Sequence, residues 1–158
     1  MADVREATES DVPFVRELLA EYLLITWPEV TGQAVCTIDD LPAFSRDELA
    51  DPLGAFDRVW LARDGGAVAG VVALRRHSEG VGEMKRLFVR EGYRRSGIAT
   101  ALADAVIDAA RRRGDTSIVL DTLPSRSGAL RFFDSLGFRE TAPFSEYPFE
   151  MVFLAMSL

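Results

Sequence analysis

The chain of 158 residues holds one cysteine, Cys36, and one histidine, His77. No internal disulfide can form, and no zinc site of four cysteines or of two cysteines and two histidines can be assembled. Serine–histidine chemistry would rest on His77 alone. No apolar run reaches the roughly 18 residues that a membrane span needs. The opening residues carry Asp3, Arg5, Glu6, Glu9 and Asp11 and lack an apolar core, so no signal peptide is expected. These absences predict a cytoplasmic protein. Positive charge is short as well: the net charge is -7 and the pI about 4.8. Gripping nucleic acid or an anionic membrane demands a basic face, so neither is an expected partner.

What is present suits one folded domain over residues 1–158. Apolar residues make up 48% and charged residues 27%, enough to build a core without approaching a membrane composition. The charge is uneven. Residues 1–57 hold 13 acids and 3 bases, whereas residues 58–158 hold 12 acids and 15 bases. The densest basic stretch is 85–95, with Lys85, Arg86, Arg90, Arg94 and Arg95 against Glu91. It reads either as a solvated run or as a seat for an anion. Lys85 is the only lysine, beside 17 arginines.

The pattern predicts a first strand at 4–7 and a helix over 12–24, with Val15, Leu18, Leu19, Tyr22 and Leu23 on one face. Residues 25–57 are the least periodic, broken by Pro28, Gly32, Pro42, Pro52 and Gly54. They predict loops with a short helix within 38–49, covering the substrate side. Two β-rich runs, 58–63 and 67–74, flank Asp64-Gly65-Gly66 and read as a hairpin. Further strands are expected at 81–89, 117–121, 138–141 and 149–156, and helices at 97–113 and 127–136. Gly114 and Gly137 sit where helix-ending glycines belong. The order gives a mixed α/β (α+β) fold with helices packed on a sheet.

The strand 81–89 runs through Arg90-Glu91-Gly92-Tyr93-Arg94-Arg95-Ser96-Gly97-Ile98-Ala99-Thr100 straight into a helix. A helix start presents unpaired amides and partial positive charge. Gly97 and Ala99 let a phosphate approach the backbone. Arg94 and Arg95 add countercharge, and Ser96 and Thr100 add hydroxyls. A nucleotide P-loop is excluded, because Ile98-Ala99 stand where Lys and Ser/Thr are required. The dinucleotide fingerprint G-x-G-x-x-G is absent.

Arg94-Arg95-Ser96-Gly97-Ile98-Ala99 resembles the R/Q-x-x-G-x-G/A signature of the GNAT superfamily of N-acetyltransferases. Met84-Lys-Arg-Leu-Phe-Val-Arg90 on the preceding strand extends the resemblance. So does Ala129-Leu-Arg-Phe-Phe-Asp-Ser-Leu-Gly-Phe138, which is similar to the family's A-x-x-x-Y-x-x-x-G-F segment. The resemblance implies the GNAT acyltransferase fold, with a splayed sheet and acetyl-CoA as co-substrate. No metal is implied. The cofactor would lie between the strand ending at Val89 and the strand 117–121. Its arm would meet Leu87, Phe88 and Val89, its pyrophosphate Arg94, Arg95, Ser96, Gly97, Ile98, Ala99 and Thr100, and its reactive end Phe133. The implied reaction is direct attack of a primary amine, from a small molecule or peptide, on the thioester.

An alkylamine has a pKa of ~10.4, so only about one molecule in 2500 is unprotonated at neutral pH. A base is needed, and Glu83 is the candidate. On an unbroken strand it shares a face with Lys85, Leu87 and Val89; a β-bulge, frequent in the resembled family, would change that parity. The alternative for Glu83 is pairing with Lys85 or an arginine. The resemblance puts a phenol where Phe133 stands, and Phe133 cannot donate a proton. Tyr147, Ser125 and Ser127 are the substitutes, with Tyr147 foremost, or the thiolate leaves unprotonated. Arg126 replaces an asparagine of the same pattern. The acids of residues 1–57, Asp39 and Asp40 among them, suit a cationic acceptor. A homodimer is left open. Phe133 also admits a second reading, a module that binds acetyl-CoA without turning it over. A binding domain for other nucleotides is the third.

Overall fold

The computed structural model describes residues 2–158. Twelve helices and strands follow in order: β1 (Asp3–Glu6), α1 (Val12–Thr31), α2 (Ala43–Ala50), α3 (Pro52–Ala55), β2 (Arg58–Asp64), β3 (Ala67–Ser78), β4 (Val81–Val89), α4 (Ile98–Arg112), β5 (Ser117–Thr122), α5 (Ser127–Leu136), β6 (Arg139–Glu140) and β7 (Val152–Ser157). One sheet of order β1-β2-β3-β4-β5-β7-β6 collects all seven strands. Every neighbouring pair is antiparallel except β4 and β5, which are joined by the α4 crossover. No helix among the described residues is long and apolar enough to cross a membrane.

Each face of the sheet has its own apolar cluster. On one, Ile98, Leu102, Val106 and Ala110 of α4 pack on Trp60, Leu74, Met84 and Ile118. Those helix positions repeat at the three-to-four spacing that makes one face. On the other, Val15, Leu18, Leu19 and Leu23 of α1 pack on Val59, Leu61, Val71 and Ala73. α4 packs close over Gly70. A β-carbon there would lie 2.9 Å from the Phe88 carbonyl oxygen and 3.0 Å from Leu102 Cδ1. Gly70→Ala is therefore expected to lower stability by about 1–3 kcal/mol through overpacking. The measurement is the denaturant midpoint at unchanged slope.

Three elements depart from the sequence pattern. α1 continues to Thr31 through Pro28 instead of ending near Leu24. Trp27 packs against the α1-side core and donates from Nε1 to Ser45 Oγ at 3.2 Å, so tertiary contacts hold the last turn. Gly32, with φ 68°, then ends the helix and donates to the Pro28 carbonyl at 2.9 Å. The expected short helix splits into a 3-10 turn at Ile38–Asp40 followed by α2 and α3. The last strand starts at Val152 rather than 149, because Tyr147 and Phe149 turn aside to line a cavity.

The unbroken alternation assumed for β4 is corrected by a bulge. Val71 faces Phe88 and Ala73 faces Lys85, so β4 carries one extra residue against β3. Arg86 sits there with φ 60°, a left-handed conformation uncommon for a side-chain-bearing residue. Met84, Leu87 and Val89 consequently pack with the α4-side cluster, while Phe88 packs with the α1-side cluster. Lys85 and Arg86 both line the cavity on the α1 side. Leu87 and Val89 therefore do not share a face with Glu83 and Lys85.

Candidate active site

β4 and β5 pair only through Val81–Ser117, Gly82–Ile118 and Glu83–Val119. Beyond Glu83 the two strands part. The right-handed twist of a sheet tends to separate strand ends, and the bulge adds to it. Two cavities open at this gap. A cavity of about 200 Å³ lies at the start of α4, lined by Val89, Arg94, Gly97, Ala99 and Thr100 with Phe132. A cavity of about 770 Å³ lies on the α1 side, between α1, α2, β4, β5 and the segment 146–151.

The smaller cavity is built by one continuous stretch of chain. Gly97 caps α4 with φ 83°, a conformation suited to glycine. The first helical bond runs from the Ala101 amide to the Gly97 carbonyl at 3.0 Å. The amides of Ile98, Ala99 and Thr100 have no partner within the helix and carry the positive end of its dipole. The side chains divide their tasks. Arg94 Nε donates to the Val89 carbonyl at 2.9 Å, and Ser96 Oγ donates to the Tyr93 carbonyl. Arg95 is exposed, with φ 62°. Ile98 points into the core, so only its backbone can meet a ligand. A nest of free amides, with no β-carbon at Gly97 and with arginines alongside, fits a pyrophosphate. The unpaired edge of β4 beside it fits an extended arm.

The larger cavity contains the ionisable groups. Glu83 is enclosed, with 3% of its side chain exposed; Arg75 Nη2 lies 2.9 Å away and Lys85 Nζ 3.6 Å away. Lys85 Nζ is also 3.5 Å from Asp121 Oδ1. Tyr147 donates its hydroxyl to Asp121 Oδ2 at 2.6 Å. Burial first, and then that hydrogen bond to Asp121, push the Tyr147 phenol pKa well above its ordinary value. Asp121, Lys85, Arg75 and Tyr147 line the cavity, whereas Glu83 stands behind Lys85 and Arg75. Arg86 crosses to α2 and holds Glu48 with two hydrogen bonds of 3.0 and 2.8 Å, under the ring of Tyr22. Burial works against the Arg86 charge, but the Glu48 carboxylate more than offsets this and its pKa is raised. Trp27, Phe44 and Phe149 form an aromatic wall with ring centroids 5.7 and 6.4 Å apart.

The sequence-predicted residues are thus partly gathered. Val89, Arg94, Arg95, Gly97, Ala99 and Thr100 meet at the smaller cavity. Phe133 lines neither cavity; it is buried against Phe132 and Phe138, and Phe132 takes the cavity wall. Phe88 turns to Tyr22 of α1. Asp39 and Asp40 lie outside the cavity. Asp40 accepts from the Cys36 and Thr37 amides at 3.0 Å each, which lowers its pKa and closes its own turn. His77 meets Phe144 edge to face, and Cys36 is exposed. Sequence reasoning missed Asp121. Its signal was a lone carboxylate closing the apolar run of β5.

The description "Acetyltransferase (GNAT) family" fits residues 13–138 of the chain. An uncharacterized N-acetyltransferase of Schizosaccharomyces pombe, C1271.07c, is 35% identical over 144 residues, covering 87% of this chain and 82% of that one. Human N-acetyltransferase 8 is 30% identical over 120 residues, 73% of this chain and 51% of its own length. N-acetylaspartate synthetase of Xenopus tropicalis is 40% identical over 81 residues, 51% of this chain but 30% of that one. The chain thus spans about half or less of these two longer relatives. A GNAT acetyltransferase from Staphylococcus aureus Mu50 shares the fold with a TM-score of 0.77 at 23% identity, covering 99% of both chains. The yncA protein of Salmonella typhimurium, solved with its cofactor acetyl-CoA, has a TM-score of 0.72 at 20% identity, covering 99% of this chain and 94% of that one. The chain belongs to the GNAT family of acetyltransferases, and the enzyme is an acetyl-CoA-dependent N-acetyltransferase.

Proposed function

We propose that the enzyme acetylates a primary amine by direct attack, and that the acceptor carries a second positive charge. The observation that carries the proposal is Asp121, a carboxylate that lines the larger cavity where β4 and β5 part. When bound, acetyl-CoA supplies an activated acetyl thioester. The amides of Ile98 to Thr100, with Arg94 and Arg95, hold its phosphates. Asp121 takes the proton of the attacking amine. Tyr147 is a positioning residue, because its hydroxyl is committed to Asp121. Glu83 acts through Lys85 and Arg75, which stand between it and the cavity.

Charge around the cavity supports a cationic acceptor. Arg75, Lys85, Arg86 and Arg126 line it, and each has a carboxylate partner. Asp47 and Glu146 also line it, and among the described residues neither makes an ion pair. A diamine would meet these two carboxylates and the Trp27–Phe44–Phe149 wall. An aspartate, the acceptor in the name of one group of relatives, would meet uncompensated negative charge. Asp47→Asn with Glu146→Gln is expected to raise the KM for a diamine about three- to tenfold, since exposed pairs contribute up to ~1 kcal/mol each. The KM for acetyl-CoA should stay constant in the same assay.

The deciding experiment incubates the protein with acetyl-CoA and a panel of diamines, monoamines and amino acids, and follows thiol release. Release with amines, fastest with diamines, is the expected result. Thermal stabilisation by acetyl-CoA with background thiol release across the panel would instead return the reading of a binding module.

A further inference from the structure

We propose that Lys85 is a catalytic residue that receives the leaving thiolate. This rests on the reading above that an amine attacks the thioester directly. Such an attack forms a nitrogen–carbon bond and breaks the carbon–sulfur bond, and the electron pair of that bond goes to sulfur. A thiolate in a partly enclosed site needs a donor or a cation.

The cavity offers few. Arg86 is engaged twice by Glu48. Arg75 is engaged twice by Glu83. Arg126 donates to Glu29 and Thr26, and the Tyr147 hydroxyl donates to Asp121. Lys85 differs. Its side chain is 7% exposed, yet its ammonium sits 3.6 Å from Glu83 and 3.5 Å from Asp121. Charge-assisted N–H···O bonds are normally ~2.7–2.9 Å long. The ammonium is therefore held by charge and retains donor capacity toward the cavity that it lines.

Its place on the strand agrees. Lys85 follows the last β4–β5 pair, at Glu83, by two residues. Val89, at the smaller cavity, is four residues further along the open edge. That separation is roughly 10–13 Å at ~3.3 Å per residue, which places the two cavities at opposite ends of the open edge.

Charge and protons balance through the step. At rest Arg75 and Lys85 face Glu83 and Asp121, two cations against two anions. Asp121 first relays one ammonium proton to solvent; when it takes the second proton from nitrogen as the amide forms, one positive charge is left over as the thiolate departs. The Asp121 proton then passes to sulfur, because a carboxylic acid is a stronger acid than a thiol. Asp121 and Lys85 return to their starting forms.

The test is the ionisation of coenzyme A bound to the protein, followed by the ultraviolet absorbance of its thiolate. Around the Lys85 ammonium, Glu83 and Asp121 are the immediate titratable groups, with Arg75, Arg86 and Tyr147 attached to or beside them. Wild type, Lys85→Met and Lys85→Arg are compared at saturating coenzyme A, with Lys85→Gln replacing Lys85→Met if the latter does not fold. The expected result is an ionisation constant at least tenfold smaller in Lys85→Met (or Lys85→Gln), with Lys85→Arg within threefold of wild type. Loss of charge should also lower kcat about 100-fold, with the KM for acetyl-CoA within threefold. Equal ionisation in wild type and the uncharged variant overturns the assignment while leaving the cofactor site intact. Failure of wild type to bind coenzyme A overturns both.

Discussion

Asp121→Asn is expected to lower kcat/KM for the amine by about 10²–10⁴-fold, the range that a well-placed general base contributes. The acceptor amine is mostly protonated at neutral pH, at a pKa of ~10.4. Asparagine matches the aspartate in size, and its carbonyl oxygen can still accept the Tyr147 hydroxyl. The affinity for acetyl-CoA should therefore change little, whereas the midpoint of thermal unfolding should fall, because buried Lys85 loses one of its two carboxylates. The variant cannot take the proton, so its residual rate should follow the unprotonated fraction of the amine alone, rising tenfold per pH unit. Glu83→Gln should cost less, because Glu83 does not line the cavity. A variant at position 121 keeping more than a third of wild-type kcat/KM would refute this assignment.

The second large effect concerns Arg86 and Glu48. Their side chains are 17% and 10% exposed, and they join the bulge of β4 to the wall made by α2. Removing one partner of a buried pair leaves the other charge uncompensated. Arg86→Met is therefore expected to lose about 3–5 kcal/mol of stability, read from denaturant unfolding. Glu48→Leu in the same chain should recover most of the loss, because two apolar side chains then replace two buried charges. A double-mutant cycle that showed simple additivity would mean the pair is not coupled. The α2 wall of the larger cavity also hangs on Arg16, which donates to the Leu49 and Ala50 carbonyls at 2.7 and 3.3 Å. The recovered double variant should thus fold, yet show a raised acceptor KM.

The two ends of the site differ in how far they could be read from residues in a row. The smaller cavity was legible because strand, arginine pair, glycine and helix start are contiguous, and local chain geometry places them. The larger cavity is assembled from distant segments: Tyr147 reaches Asp121 across 26 positions, and Arg86 reaches Glu48 across 38. No local pattern encodes such meetings. The resemblance raised a bulge on this strand, but its place was not legible, because its left-handed residue is an arginine instead of a glycine. Phe133 illustrates a different limit. Its motif fixed the position on α5, but adjacent helical residues point about 100° apart, a consequence of ~3.6 residues per turn. Phe132 faces the cavity, and Phe133 faces the core. The sequence-predicted helix stops at Leu24, where the periodicity fades, whereas Trp27 and Gly32 carry the real one through Pro28 to its close.

Lys85 has one more consequence. Because it is the only lysine, protein grown on nitrogen-15 lysine carries a single labelled ammonium. That nucleus sits where β4 and β5 part, between two carboxylates. Its magnetic resonance signal would report on the proposed reaction centre of the wild-type enzyme with no substitution at all. Addition of coenzyme A, of acceptor and of both would each be read at one atom. An internal reporter of that kind normally has to be engineered; here the composition of the chain supplies it.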